Sequence, residues 1–212
     1  MSDNKSIVAE QFEDAQQQSE ASHLGMWTFL ATEVLFFGGL FLSYVVYRHF
    51  YYAGFAAASH HTDVIFGTLN TALLLTSSLT MALAIQAAKE SATRTTVRFL
   101  QLTLVLGVAF LVVKGFEYHK DIADHLVPGA NFDPSLPRGA QIFFWLYWAM
   151  TGLHAVHLTV GLGVLSLMTM LAKRGKFDSR YHTPLEVAGL YWHFVDIVWI
   201  FLYPLLYLIG HK

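Results

Sequence analysis

Five long apolar runs dominate the chain and leave few folds open to it. They extend from about Leu24 to Tyr47, Val64 to Ala88, Phe99 to Tyr118, Ile142 to Ala172 and Val187 to Ile209. Each reaches or exceeds the roughly 20 residues that a helix needs to cross a bilayer. A segment in lipid must satisfy its own backbone hydrogen bonds, which leaves helices or a closed barrel. Barrel strands would be short and alternating, so these runs predict an all-α integral membrane bundle of five transmembrane helices. Residues 23–212 then form one domain, preceded by a polar tail over residues 1–22.

Composition agrees. The chain is 55% hydrophobic and 13% charged, against roughly 25% charged in soluble domains, and its mean hydropathy is +0.45. A net charge of −2 gives no sign of a nucleic-acid partner. With no cysteine there is no disulfide, thiolate metal site or cysteine nucleophile. The acidic, glutamine-rich tail lacks the basic start and short apolar core of a signal peptide, and is expected to be loosely ordered and cytoplasmic. Of the lysines and arginines, Lys5, Lys89, Arg94, Arg98, Lys173, Arg174, Lys176 and Arg180 fall on the N-terminal side. Arg48, Lys114, Lys120, Arg138 and Lys212 fall on the other. By the positive-inside rule the N-terminus is cytoplasmic and the C-terminus outside.

Small residues suggest how the helices pack. Thr68, Ala72, Thr76, Thr80, Ala84 and Ala88 recur every four residues in the second span, and Thr151, Ala155, Thr159 and Gly163 in the fourth. Such stripes let helix backbones approach closely, and they are expected at the helix interfaces.

Polar groups inside the spans are the candidate functional residues, because charge at that depth is costly. Glu33 is an intramembrane carboxylate in the first span. Lys114 and Glu117 lie one turn apart in the third, spaced for an i,i+3 ion pair. His154 and His157 lie in TGLHAVHLTVG, and His193 and Asp196 in LYWHFVDIVWIFLY. Counting the rise per residue from each helix midpoint, Glu117 and His154 come to similar depths, with Glu33, His193 and Asp196 nearby. Lys114, Glu117, His154, His157, His193 and Asp196 are therefore expected to form a buried polar network. Hydrogen bonding between helices is one role for the histidines. Haem ligation by His154 and His193, as in a bis-histidine membrane cytochrome b, is the alternative. No nucleophile elbow, phosphate loop or dedicated metal motif is present, nor the internal repeats of a small transporter.

Four stretches, GMWTFLATEVLFFGGLF, GFEYHKDI, TGLHAVHLTVG and LYWHFVDIVWIFLY, together resemble subunit III of the haem–copper oxidases. Each sits on its own span, in the family's order, and the likeness covers nearly all of Leu24 to Gly210. The glutamate of TEVLFF is closer to the cytochrome c oxidases than to the quinol oxidases. A quinol oxidase or nitric-oxide-reductase-associated homologue is the near alternative. The resemblance implies a subunit with no catalytic, cofactor-binding or metal-binding residue of its own. Haem and copper would lie in subunits I and II, the expected partners together with membrane lipid. It also implies packing on subunit I, support of proton uptake and sustained turnover, and a bacterial cytoplasmic (inner) membrane. Glu33 matches the family's intramembrane carboxylate; Glu117, His154, His157, His193 and Asp196 match its buried polar positions. Two features depart from the pattern: longer members have seven spans, and Lys114 is unexpected.

Overall fold

The computed structural model describes residues 11–129, 132–179 and 181–208. Lys5, Arg180, Lys212 and Ile209, named above, lie outside them, as do the first ten residues of the tail. The described residues are all helical or irregular: α1 (Ala15–Phe50), α2 (Tyr52–Ser59), α3 (Val64–Lys89), α4 (Thr93–Ala123), α5 (Ala140–Lys173) and α6 (Thr183–Tyr207). All but α2 are long and apolar enough to span a membrane.

Local chemistry sets the helix ends. Asp14 caps α1 by accepting from the Gln17 N–H at 2.7 Å, so α1 starts inside the segment expected to be loose. Asp63 caps α3 through the N–H groups of Ile65 and Phe66. These bonds satisfy donors that the first turn of a helix leaves free. Gly139 precedes α5 with φ +94°, where an added Cβ would lie 2.5 Å from Tyr51 Cβ. Only glycine fits there. At the far end of α6, the Tyr44 hydroxyl donates to the Leu205 carbonyl and the Thr62 hydroxyl to the Leu206 carbonyl. Both are carbonyls that the last turn cannot bond itself.

α3, α4, α5 and α6 form a four-helix core, and α1 lies in the groove between α5 and α6. α6 is the most buried span and α1 the least. Polar side chains join the core helices, since apolar burial alone gives no preference for protein over lipid. The fully buried indoles of Trp192 and Trp199 donate from α6 to Ser77 (3.0 Å) and Thr71 (3.1 Å) of α3. Thr80 and Thr103 share a 2.8 Å hydrogen bond between α3 and α4.

The small-residue stripes do not mark these interfaces along their whole length. Thr68, Ala72 and Thr76 are exposed, as are Thr159 and Gly163; only Thr80, Ala84, Ala88 and Thr151 are buried. Four residues advance about 400° around a helix of 3.6 residues per turn. A strict four-residue stripe therefore rolls off any fixed face. The buried line on α5 instead mixes steps of three and four: Thr151, His154, Leu158, Gly161, Leu165 and Met168.

Candidate functional site

The intramembrane polar residues divide into separate groups; no single hydrogen-bonded network joins them among the described residues. The first group lies at the end of the bundle that carries α2. Lys114 and Glu117 share one face of α4 with Asp121, at spacings of three and four, and all three are buried. Lys114 Nζ lies 3.1 Å from Glu117 Oε2. It donates to the hydroxyls of Tyr147 on α5 (3.0 Å) and Tyr207 on α6 (2.6 Å). Four aromatic rings surround the ammonium, those of Tyr118, Tyr147, Trp199 and Tyr207, with centroids 4.7–5.6 Å away. Cation–π attraction strengthens when the cation is desolvated. The hydroxyls reach on to the carboxylates: Tyr207 donates to Glu117 Oε1 at 2.6 Å. Tyr147 lies 2.9 Å from Glu117 Oε1 and 2.8 Å from Asp121 Oδ2.

The second group joins α1 to α5. Glu33 Oε2 lies 3.1 Å from His157 Nε2. The other ring nitrogen, Nδ1, lies 2.8 Å from the Leu153 carbonyl. A carbonyl only accepts, so Nδ1 carries a proton. Phe37 packs edge-on to the imidazole, and the Tyr191 hydroxyl fixes the helix here by donating to the His157 carbonyl at 2.9 Å.

The remaining histidines and Asp196 stand apart. His154 is enclosed by the rings of Phe110 and Trp199, and neither ring nitrogen has a hydrogen-bond partner. His193 lines the groove between α1 and α6 and bonds the Ser78 hydroxyl of α3 at 2.8 Å through Nδ1. The two imidazoles thus occupy different environments, one inside the core and one in a groove, with no shared face for a haem iron. Asp196 is buried beside the same Ser78 hydroxyl that meets His193, and neither of its carboxyl oxygens makes a hydrogen bond of normal geometry. Among the described residues no three His, Cys, Asp or Glu side chains are grouped to hold a metal ion.

Sequence reasoning missed Asp121, Tyr147, Tyr207 and Asn70. Asp121 was findable, one turn beyond Glu117 on the Lys114 face. Asn70, fully buried on α3 with no side-chain hydrogen bond, gave no signal beyond its residue type.

Sequence comparison shows where such a bundle belongs. A family model described as "Cytochrome c oxidase subunit III" matches residues 5–211. The chain belongs to the cytochrome c oxidase subunit III family. Among its relatives, cytochrome c oxidase subunit 3 of Alkalihalophilus pseudofirmus is 32% identical over 93% of this chain and 91% of the relative. The corresponding protein of Bacillus subtilis is 34% identical over 88% and 86%. Cytochrome bo(3) ubiquinol oxidase subunit 3 of Pseudomonas aeruginosa is 33% identical over 88% and 84%. Subunit III relatives of both donor types thus lie at nearly equal distance.

Proposed function

We propose that this chain is the non-catalytic subunit III of a proton-pumping haem–copper terminal oxidase that oxidises cytochrome c in aerobic respiration. The observation that carries the reading is the family match over residues 5–211, with relatives about a third identical along most of both chains. Haem and copper lie in the partner subunits I and II, where oxygen is reduced. This chain packs on subunit I with membrane lipid around it, and supports proton uptake and sustained turnover. Glu33 serves as the intramembrane carboxylate of that role, held by His157; the Lys114–Glu117 group, the buried His154 and Asp196, and His193 in the groove fix the shape of the bundle.

The membrane is the bacterial cytoplasmic membrane. The N-terminus, with residues 1–22 as a polar tail, faces the cytoplasm and the C-terminus the outside. The basic side chains support this orientation. Lys89, Arg94, Arg98, Lys173, Arg174 and Lys176 gather at the end opposite α2, while Arg48, Lys114, Lys120 and Arg138 are the counterparts at the α2 end among the described residues.

Co-purification tests the proposal. An affinity-tagged chain should bring down a large multi-span haem protein. The chain alone should show no haem Soret change in a reduced-minus-oxidised spectrum; a stoichiometric change would instead favour a cytochrome b. Oxygen uptake by the complex with reduced cytochrome c against quinol assigns the donor, and uptake only with quinol would move the chain to the Pseudomonas aeruginosa type.

A further inference from the structure

Hydrogen-bond capacity in the Lys114 group can be counted atom by atom. An ammonium has three N–H donors, and three acceptors surround Lys114 Nζ: Tyr207 O at 2.6 Å, Tyr147 O at 3.0 Å and Glu117 Oε2 at 3.1 Å. The Tyr207 proton goes to Glu117 Oε1. Tyr147 has one proton left to give and two carboxyl oxygens in reach, Glu117 Oε1 at 2.9 Å and Asp121 Oδ2 at 2.8 Å. One O–H cannot fill both, and two unprotonated oxygens at that separation repel. Charge leads to the same count: one ammonium faces two carboxyls, and an unbalanced charge in a buried, lipid-embedded site is strongly disfavoured.

We infer that the group is a binding site for one exchangeable proton, carried on Asp121. The Asp121 O–H donates to the Tyr147 oxygen, and Tyr147 donates to Glu117. Both contacts of the Tyr147 oxygen with a carboxyl then carry a proton, and the group is neutral. The partners decide between the two carboxyls. Glu117 forms the ion pair with Lys114 and receives the Tyr207 O–H, whereas among the described residues the Asp121 carboxyl is bonded by Tyr147 alone. Asp121 is also the member nearest the end of α4, 5% exposed, where a proton can exchange with water.

Among the described residues no other titratable side chain is hydrogen-bonded to the Lys114 group. Tyr118 on α4 is bonded to Thr151 at 2.7 Å, and Lys120 turns away to Asp63 at 3.1 Å. His154 of α5 packs on Trp199. On α6, Tyr203 bonds Thr68 at 2.7 Å. α3 carries no titratable side chain between Val64 and Ala88.

Infrared difference spectroscopy of the purified oxidase at neutral pH tests the site. The parent-minus-Asp121→Asn spectrum should show loss of one protonated-carboxyl C=O band that shifts in deuterium oxide. That band should persist in Glu33→Gln and Asp196→Asn. A difference containing only carboxylate bands would overturn the inference. If Asp121→Asn does not assemble, Tyr147→Phe serves instead: deprived of its acceptor, the Asp121 band should move to higher frequency. An unmoved band in Tyr147→Phe would overturn it equally.

Discussion

His157 Nε2 and Glu33 Oε2 meet at 3.1 Å although 124 residues separate them in the chain. This contact is a polar tie between α1 and α5. If it supports proton supply, Glu33→Ala should leave assembly and initial oxygen consumption close to the parent's and shorten activity over many turnovers. His157→Ala should give the same decay, and the double variant no more than either alone. Oxygen-uptake traces followed to inactivation check this; decay equal to the parent's would leave the pair a purely structural contact.

Lys114 and Glu117 form a fully buried ion pair, and removing one partner strands a charge. Lys114→Met should destabilise the bundle by about 3–5 kcal/mol, read as a lower melting temperature in detergent. Lys114→Met combined with Glu117→Gln should recover most of that loss, because no stranded charge remains. A double variant as unstable as Lys114→Met alone would mean that the aromatic cage, not the pair, carries the effect.

Glycine substitutions separate the observed interface of α5 from the stripe suggested by four-residue spacing. A Cβ at Gly161 would stand 3.0 Å from the Trp192 ring, while one at Gly163 would meet nothing within 4 Å. Gly161→Ala should lower the melting temperature. Gly163→Ala should be neutral or stabilise by up to about 1 kcal/mol, the helix-propensity difference between the two residues. Gly54→Ala should be worse than either, because its Cβ would lie 2.2 Å from the Arg138 carbonyl oxygen. That contact is with backbone, which cannot swing aside.

Asp63, just before α3, both caps that helix and pairs with Lys120 at 3.1 Å. Partial burial opposes its ionised form, but hydrogen bonds from Lys120 and from the Phe66 and Ile65 N–H groups outweigh it and hold the carboxyl below its ordinary value. A depressed carboxyl contributes stability that is full above its unfolded pKa and lost as pH falls through the folded one. Parent and Asp63→Ala should therefore differ in melting temperature near neutral pH, and the gap should close on acidification through the carboxylate range. A gap that stays constant with pH would assign the effect to helix capping geometry alone.

Span number and type were legible because twenty or more apolar residues in a row admit few alternatives. The helix α2 was not: YAGFAAAS is eight residues long, too short to read as a span, and its place is set by Gly54 packing under Arg138. Depth along each helix was legible only coarsely: Glu117 and His154, expected at similar levels, differ by about two turns, since Glu117 meets Tyr147 while His154 packs on Phe110. Azimuth was not legible, and azimuth decides partners. Glu33 finds His157, while His154, three residues earlier and about 60° round the helix, packs into the core against Phe110 and Trp199. Tyr147 and Tyr207 looked like bulk apolar residues until the helices around Lys114 gave their hydroxyls something to bond.

The cage around Lys114 also bears on how the protein is made. α4 must enter the membrane with an ammonium and two carboxyl groups on one face, yet the hydroxyls that receive the ammonium belong to α5 and α6. Tyr207 is the last residue of α6. During synthesis α4 is therefore a poorly anchored passenger, dependent on the insertion machinery or on its own Lys114–Glu117 contact, until the final span arrives. The cage can close only once α6 has joined the bundle.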